Sequence, residues 1–254
     1  MIKLRPRAHH LKTRHLENKI LLPNSLVKPC LEIAHAPHFG INKTYEFIKK
    51  KYFWKGMFLD TKHICENCQQ CLENKRISSR TVTSNIKKSD LAPGEMLAID
   101  IVGKLPRSHD GKFFILTIID HYSRYLEAIP LTNITSATII RCMNLYFSKF
   151  GIPKIILSDN GSNFCSAEFE NFLTDLNIEH RKSSIYYPQS NGIIERVHRT
   201  MKESIASLSN QVFEWSDRLA FLKLYYNNSK PIVTGFTPAQ LFFGRELNTP
   251  LDIK

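Results

Sequence analysis

Two metal-ligand pairs, His35-x-x-His38 and Cys68-x-x-Cys71, stand 29 residues apart in the first third of the chain. Two imidazoles and two thiolates suit tetrahedral zinc, which takes N and S ligands and needs no fifth partner in a closed structural site. In so small a module a bound metal supplies much of the folding energy. The spacing therefore predicts a small zinc-organised unit, with NKTYEFIKKKYF as a helical segment between the pairs. Chance coincidence of a His pair and a Cys pair is the competing reading. Spare donors lie nearby: Cys65 makes an overlapping Cys-x-x-Cys with Cys68, and His9, His10, His15 and His63 add imidazoles. Cys65 reads as a buried residue rather than a ligand.

Charge divides the chain at about the same place as the ligands do. Residues 1–94 carry 18 basic against 7 acidic side chains, whereas residues 95–254 carry 17 against 16. A basic unit joined to a nearly neutral one suggests that the first holds a polyanion while the second does other work, although a basic surface also serves solubility. The opening MIKLRPRAHH is basic but leads into no apolar stretch, so no secretory signal is read and the protein is expected to remain inside the cell. Its six cysteines then read as metal ligands or buried residues rather than disulfides. No apolar run approaches the roughly 18 residues of a spanning helix, so a membrane role is not expected.

The polar stretch from Ile77 to the Pro93-Gly94 turn has no apolar period and reads as a linker. Beyond it, EMLAIDIVG, KFFILTIIDHYS and RYLEAIPL read as neighbouring strands. SATIIRCMNLYFSKFG then reads as a helix stopped by Gly151, KIILSDNG as a buried strand, CSAEFENFLTDLN as a helix and IEHRKSS as a strand. A long helix from about Gly192 follows, with Ile194, Val197, Met201, Ile205 and Leu208 as its apolar stripe. An α/β core layered by helices is expected.

Three acids fall at telling places in that order: Asp100 in the first strand, Asp159 at the end of IILSD, and Glu195 at the start of the long helix. Chemistry on a phosphodiester asks little covalent help of a protein but needs cations at the attacking and leaving oxygens, and carboxylates hold Mg²⁺ or Mn²⁺. Any chain with 23 acids offers three at some spacing, so local context has to select them. Around Asp159 the string SDNGSNF includes Gly161, which lets backbone or substrate approach. Around Glu195, YYPQSNGIIER is a Pro and Gly loop leading into a helix, able to order over substrate or to serve as a plain connection.

LLPNSLVKPCLEIAHAPHFGINKTYEFIKKKYFWKGMFLDTKHICENCQQCLENK resembles the zinc-binding N-terminal domain of integrases from gypsy-class LTR retrotransposons. The likeness is carried by His35, His38, Gly40, Lys43, Thr44, Trp54, Gly56, Met57, Cys68, Cys71 and Lys75. The gap between the histidines is shorter than in many relatives, and Cys65 stands where an apolar residue is usual. LAIDIVGKLP, FILTIIDHYSRYLEAIPL, KFGIPKIILSDNGSNF and YYPQSNGIIER in turn resemble the catalytic core of the retroviral and retrotransposon integrase superfamily. YYNNSKPIVTGFTPAQLFFGREL is similar to the segment after that core, with Lys230 where a His is common.

The resemblance implies an RNase H-like mixed-sheet core with flanking helices, preceded by a small helical zinc-binding domain. The expected division is a basic extension over 1–20, a zinc-binding domain over 21–76 with His35, His38, Cys68 and Cys71 as ligands, and a linker over 77–93. A catalytic core over 94–212 and a C-terminal helical extension over 213–254 complete it. The family's catalytic positions fall on Asp100, Asp159 and Glu195, which would hold two Mg²⁺ or Mn²⁺ ions. The family pattern also suggests that Arg199 and Lys202 grip donor-DNA phosphates. They share a helix face with Glu195, and pairing with Glu195 or Glu203 is the plainer reading. Gln189 and Asn191 read as DNA contacts or as ordinary turn residues. Implied partners are element-end and target double-stranded DNA and further copies of the chain, acting in the nucleus. Two rival readings keep the same residues: a host-adopted DNA-binding protein without activity, and a cut-and-paste transposase or nuclease.

Overall fold

The computed structural model describes residues 19–74, 91–182, 197–205, 215–230 and 235–252. Residues 20–74 form a helical module: α1 (Asn24–His35), α2 (Ile41–Lys49), α3 (Met57–Glu66) and α4 (Gln69–Asn74), with β1 (Ile20–Leu21) paired in parallel to β2 (Tyr52–Phe53). The helix expected over NKTYEFIKKKYF thus stops at Lys49, because Tyr52 and Phe53 turn extended to meet Ile20 and Leu21. Between β2 and α3 the chain reverses at Gly56, whose φ of 85° lies in the left-handed region that favours glycine. Trp54 and Met57, on either side of it, are both buried in the module's apolar cluster.

The second unit is a five-stranded mixed sheet in the order β5-β4-β3-β6-β7. Its strands are β3 (Met96–Val102), β4 (Phe114–Asp120), β5 (Leu126–Leu131), β6 (Ile155–Ser158) and β7 (Glu179–Lys182). The first three form an antiparallel meander, and β6 and β7 join β3 in parallel through helical crossovers. Those crossovers are α5 (Ser136–Phe150), capped by the Thr135 side chain and ended at Gly151, and α6 (Ala167–Asp175), capped by Ser166.

Side-chain alternation gives the sheet two apolar faces. Leu97, Ile99, Leu116, Ile118 and Ile156 pack against α5 and α6. Ala98, Val102, Ile115, Ile119, Leu126 and Leu157 point the other way. That second face is covered by Val197, Met201 and Ile205 from the helical stretch 197–205 (α7), and by Trp215, Leu219 and Leu222 from α8 (Trp215–Asn228). Asn227 locks α8 to the sheet edge, accepting from Leu126 N at 2.8 Å and donating to Leu126 O at 2.9 Å. After α8 come α9 (Pro238–Phe243) and a 3-10 turn, Pro250–Asp252.

The helical module sits against α8 and that last turn. Tyr225 and Leu251 belong to the same apolar cluster as Leu31, Phe47 and Trp54. The Tyr225 hydroxyl donates to Ile33 O at 3.0 Å, Tyr52 to Leu251 O at 2.7 Å, and Lys50 pairs with Glu246 at 2.7 Å. No helix among the described residues is long and apolar enough to cross a membrane.

Candidate zinc centre and acidic site

In the helical module, α1 delivers His35 as its last residue, and the chain then turns so that His38, at a φ of 54°, brings its ring within 5.2 Å of the first. Histidine tolerates this left-handed region better than most residues. Cys68 follows the end of α3, and Cys71 lies in α4. The ligating atoms of His35, His38, Cys68 and Cys71 all fall within 4.8 Å of one another, the one such group of three or more among the described residues. Cys71 Sγ is 3.4 Å from His35 Nε2 and 3.6 Å from His38 Nδ1, and Cys68 Sγ is 3.4 Å from His38 Nδ1. A tetrahedron with ordinary Zn–N and Zn–S bonds has an N···S edge of about 3.6 Å. The donor set and its size therefore fit zinc.

Cys65 is buried, and its Sγ lies 3.4 Å from His35 Nδ1, the ring nitrogen that does not meet Cys71. It contacts a ligand from behind and stands outside the four-atom group.

The acidic site is assembled by the sheet. Parallel pairing of β3 with β6 runs Met96 to Ile155, Leu97 to Ile156 and Ala98 to Leu157. Carried on by two residues, that register sets Asp159, just past the end of β6, level with Asp100. Neighbouring strands lie about 4.8 Å apart, so the two carboxylates emerge side by side. Both continue the alternation of Ala98 and Leu157, on the face covered by α7.

Each carboxylate commits one oxygen to a backbone amide. Asp100 Oδ1 accepts from Ile101 N at 2.6 Å, and Asp159 Oδ1 accepts from Gly161 N at 2.9 Å. A Cβ on Gly161 would stand 3.0 Å from Asp159 Oδ1, so the glycine permits this turn to close on the carboxylate. The second oxygen of Asp100 faces the His198 ring at 3.4 Å, and both carboxylates keep lone pairs able to meet a cation. Burial pushes the Asp100 carboxyl up to about 6; the Asp159 charge adds to the rise, while the Ile101 amide and the Lys202 ammonium oppose it. Adjacent hard oxygens, one of them costly to leave ionised alone, are a donor set that fits a divalent cation such as Mg²⁺. Glu195, the third expected acid, lies outside the described residues, as do Gln189 and Asn191. Arg199 and Lys202 are exposed on α7, and Lys202 is close enough to act electrostatically on Asp100.

Two histidines that the motifs did not single out, His198 buried and His180 partly so, stand beside these aspartates. His198 places Nδ1 3.4 Å from Asp100 Oδ2 and Nε2 2.8 Å from Thr117 Oγ1. Burial holds its imidazole down at about 4, in the neutral form at physiological pH. His180 meets Ser158 Oγ at 2.8 Å through Nε2, and the Ser158 hydroxyl lies 2.8 Å from Asp159 O. Sequence spacing gave one hint: His198 follows Glu195 by three residues and so shares its helix side.

Fold and sites together define a zinc module joined to a mixed-sheet core with paired aspartates. Residues 22–77 match the integrase zinc binding domain, and residues 90–188 match the integrase core domain. An uncharacterized protein of Caenorhabditis elegans, K02A2.6, is 31% identical over 239 residues, covering 94% of this chain and 18% of its own length. The retrovirus-related Pol polyprotein from transposon 412 of Drosophila melanogaster is 28% identical over 84% of this chain and 17% of its length. The chain thus spans under a fifth of these relatives. Among solved structures, a simian T-cell lymphotropic virus intasome aligns with a TM-score of 0.55 at 21% identity, over 76% of this chain and 69% of that one. The HTLV-2 integrase catalytic core domain in complex with magnesium aligns with a TM-score of 0.50 at 21% identity, over 60% of this chain and 98% of that one. The chain thus carries an integrase zinc binding domain and an integrase core domain, and its relatives include retrovirus-related and retroviral Pol polyproteins.

Proposed function

We propose that this chain trims the 3′ ends of an element's DNA and joins them to target DNA by phosphoryl transfer. The observation that carries the reading is the pair of aspartates set level by the β3 and β6 register, each with one oxygen fixed by a backbone amide. When bound, a pair of divalent cations supplies Lewis-acid activation of the attacking oxygen and charge neutralisation at the leaving oxygen. Asp100 within β3 and Asp159 just past β6 would hold that charge, and Glu195, three residues before His198, completes the acidic set. Arg199 and Lys202 bind phosphates of the donor end, with Gln189 and Asn191 contributing from the loop before the helix. In the first step a water oxygen attacks phosphorus and the P–O3′ bond breaks; the 3′ oxygen takes up a proton as a new 3′ hydroxyl on the element end, and the terminal nucleotides leave with a 5′ phosphate. In the second, that hydroxyl attacks a target phosphodiester in line; the target's own 3′ oxygen departs and takes up a proton. No covalent protein intermediate is required.

His35, His38, Cys68 and Cys71 hold zinc in a structural site. Partners are double-stranded DNA and further copies of the chain, since two element ends have to be joined to one target together. Acting on chromosomal DNA places the protein in the nucleus.

The test is to incubate the zinc-loaded protein with labelled element-end DNA and Mg²⁺ or Mn²⁺, beside Asp159→Asn. Joined product from the native chain alone supports the reading. Joining that persists in Asp159→Asn overturns the assignment of the acids. DNA binding with no joining in either makes the chain a host-adopted binding protein.

A further inference from the structure

His35 meets sulfur on both edges of its ring. Nε2 lies 3.4 Å from Cys71 Sγ, on the side where the four donor atoms gather, and Nδ1 lies 3.4 Å from Cys65 Sγ on the other. Cys65 itself stands outside that group of four. It comes from the buried side of α3, with Met57 and Thr61, and its thiol is set against the last residue of α1.

Zinc decides where the hydrogen on this ring sits. A metal takes the lone pair of one imidazole nitrogen, so a neutral ring bound through Nε2 carries its proton on Nδ1. That N–H is enclosed, because His35 is 5% exposed and Cys65 8%. A donor shut away from water needs an acceptor, and the Cys65 sulfur, a weak one, stands where the N–H points. Ligating histidines usually give their second N–H to a carboxylate, a carbonyl or a water; in this chain a thiol holds that place. A half-turn of the ring would set Cδ2 against Cys65 and Cε1 toward the metal, losing both contacts at once.

We infer that Cys65 is a positioning residue for His35: its sulfur accepts from Nδ1–H and holds the ring so that Nε2 faces the metal. The inference deepens the zinc reading above and rests on His35 being a ligand. It requires Cys65 neither to bind zinc nor to change charge. The rival role is packing, since Met57, Thr61 and Cys65 fall on one helix side and an apolar side chain would fill the same space. The two roles call for opposite substitutions. Serine keeps an acceptor and gives up apolar surface, whereas valine keeps the apolar bulk and offers nothing to the N–H.

Zinc affinity of the full chain is read by competition with a chromophoric chelator. Cys65→Ser is expected to stay within about 3-fold of the native affinity, while Cys65→Val falls by about 10- to 100-fold, the range for groups that orient a ligating histidine. Packing predicts the reverse, with Val near native and Ser below it; that order overturns the inference, as do equal affinities in the two variants. His35→Cys supplies the control, a thiolate ligand with no N–H behind it. In that background Cys65→Val should lose its deficit against Cys65→Ser, and a deficit that persists there traces to packing and overturns the inference too. A native chain that takes up no zinc refutes the zinc assignment itself, whereas a native chain that binds zinc, with Val at or above Ser, refutes the role of Cys65 alone.

Discussion

The zinc centre and the acidic site both gather donor atoms that fit a cation, but the chain builds them in opposite ways. The zinc ligands come as two local pairs, the histidines from the end of α1 and the turn beyond it, the cysteines from the turn after α3 and from α4, and converge within 4.8 Å. Asp100 and Asp159 come from strands whose places are fixed by a sheet with apolar clusters on both faces. In the first case metal and fold are one event. In the second the fold precedes the metal and bears a cost for it, because burial and a neighbouring acid push Asp100 up to about 6.

The sharpest way to break this contrast is to remove zinc. A chelator, or Cys71→Ser, should abolish the helical order of α1 to α4, since structural zinc sites supply on the order of 10 kcal/mol to small modules. Amide exchange should show this loss while β3, β4 and β6 stay protected; equal loss in both units would erase the distinction. Next in size, Asp159→Asn should lower strand joining by on the order of 10²- to 10³-fold, the range for removing one electrostatic group from a transition state, with unchanged circular dichroism. A collapse of the fold instead would make the aspartate structural.

A smaller effect tests the cost directly. An acid whose folded value of about 6 exceeds its unfolded 3.8 destabilises the fold above that window, and the cost fades as pH drops through it. In zinc-loaded protein without Mg²⁺ or Mn²⁺, Asp100→Asn should therefore melt a few degrees above the native chain at pH 8. The two curves should meet near pH 4, and a gap independent of pH would show that ionisation of Asp100 is not the cause. Least of all, Lys202→Ala should weaken DNA binding nearly uniformly across sequences and lower the salt slope by about one. An unchanged slope would leave Lys202 as a neighbour of Asp100 alone.

The same contrast explains what the sequence could tell. His35, His38, Cys68 and Cys71 were legible because their chemistry is written in local spacing, and the α/β order followed from apolar periods and from signals such as Gly151. Asp100 and Asp159 were singled out by strand order and local context and given a role by the resemblance, but their register was hidden, since it depends on β6 skipping back beside β3, a pairing no local pattern encodes. Apart from the three-residue spacing of His198 from Glu195, the contacts of His198 with Thr117 and of Ser158 with His180 were not legible, because each joins residues from separate elements. The docking of the zinc module was hidden likewise: Tyr225 and Leu251 look like ordinary apolar residues of the last segment until they are seen beside Phe47.

That docking makes α8 a party wall. Trp215, Leu219 and Leu222 serve the sheet, Tyr225 serves the zinc module, and Tyr226 touches the clusters on both sides. Loosening the module strips one side of this partition and leaves Asn227 as the clasp nearest the break, holding the helix to Leu126. Loss of the metal from a site built for architecture should therefore be felt where α8 meets the sheet edge, as a change in the last turns of that helix.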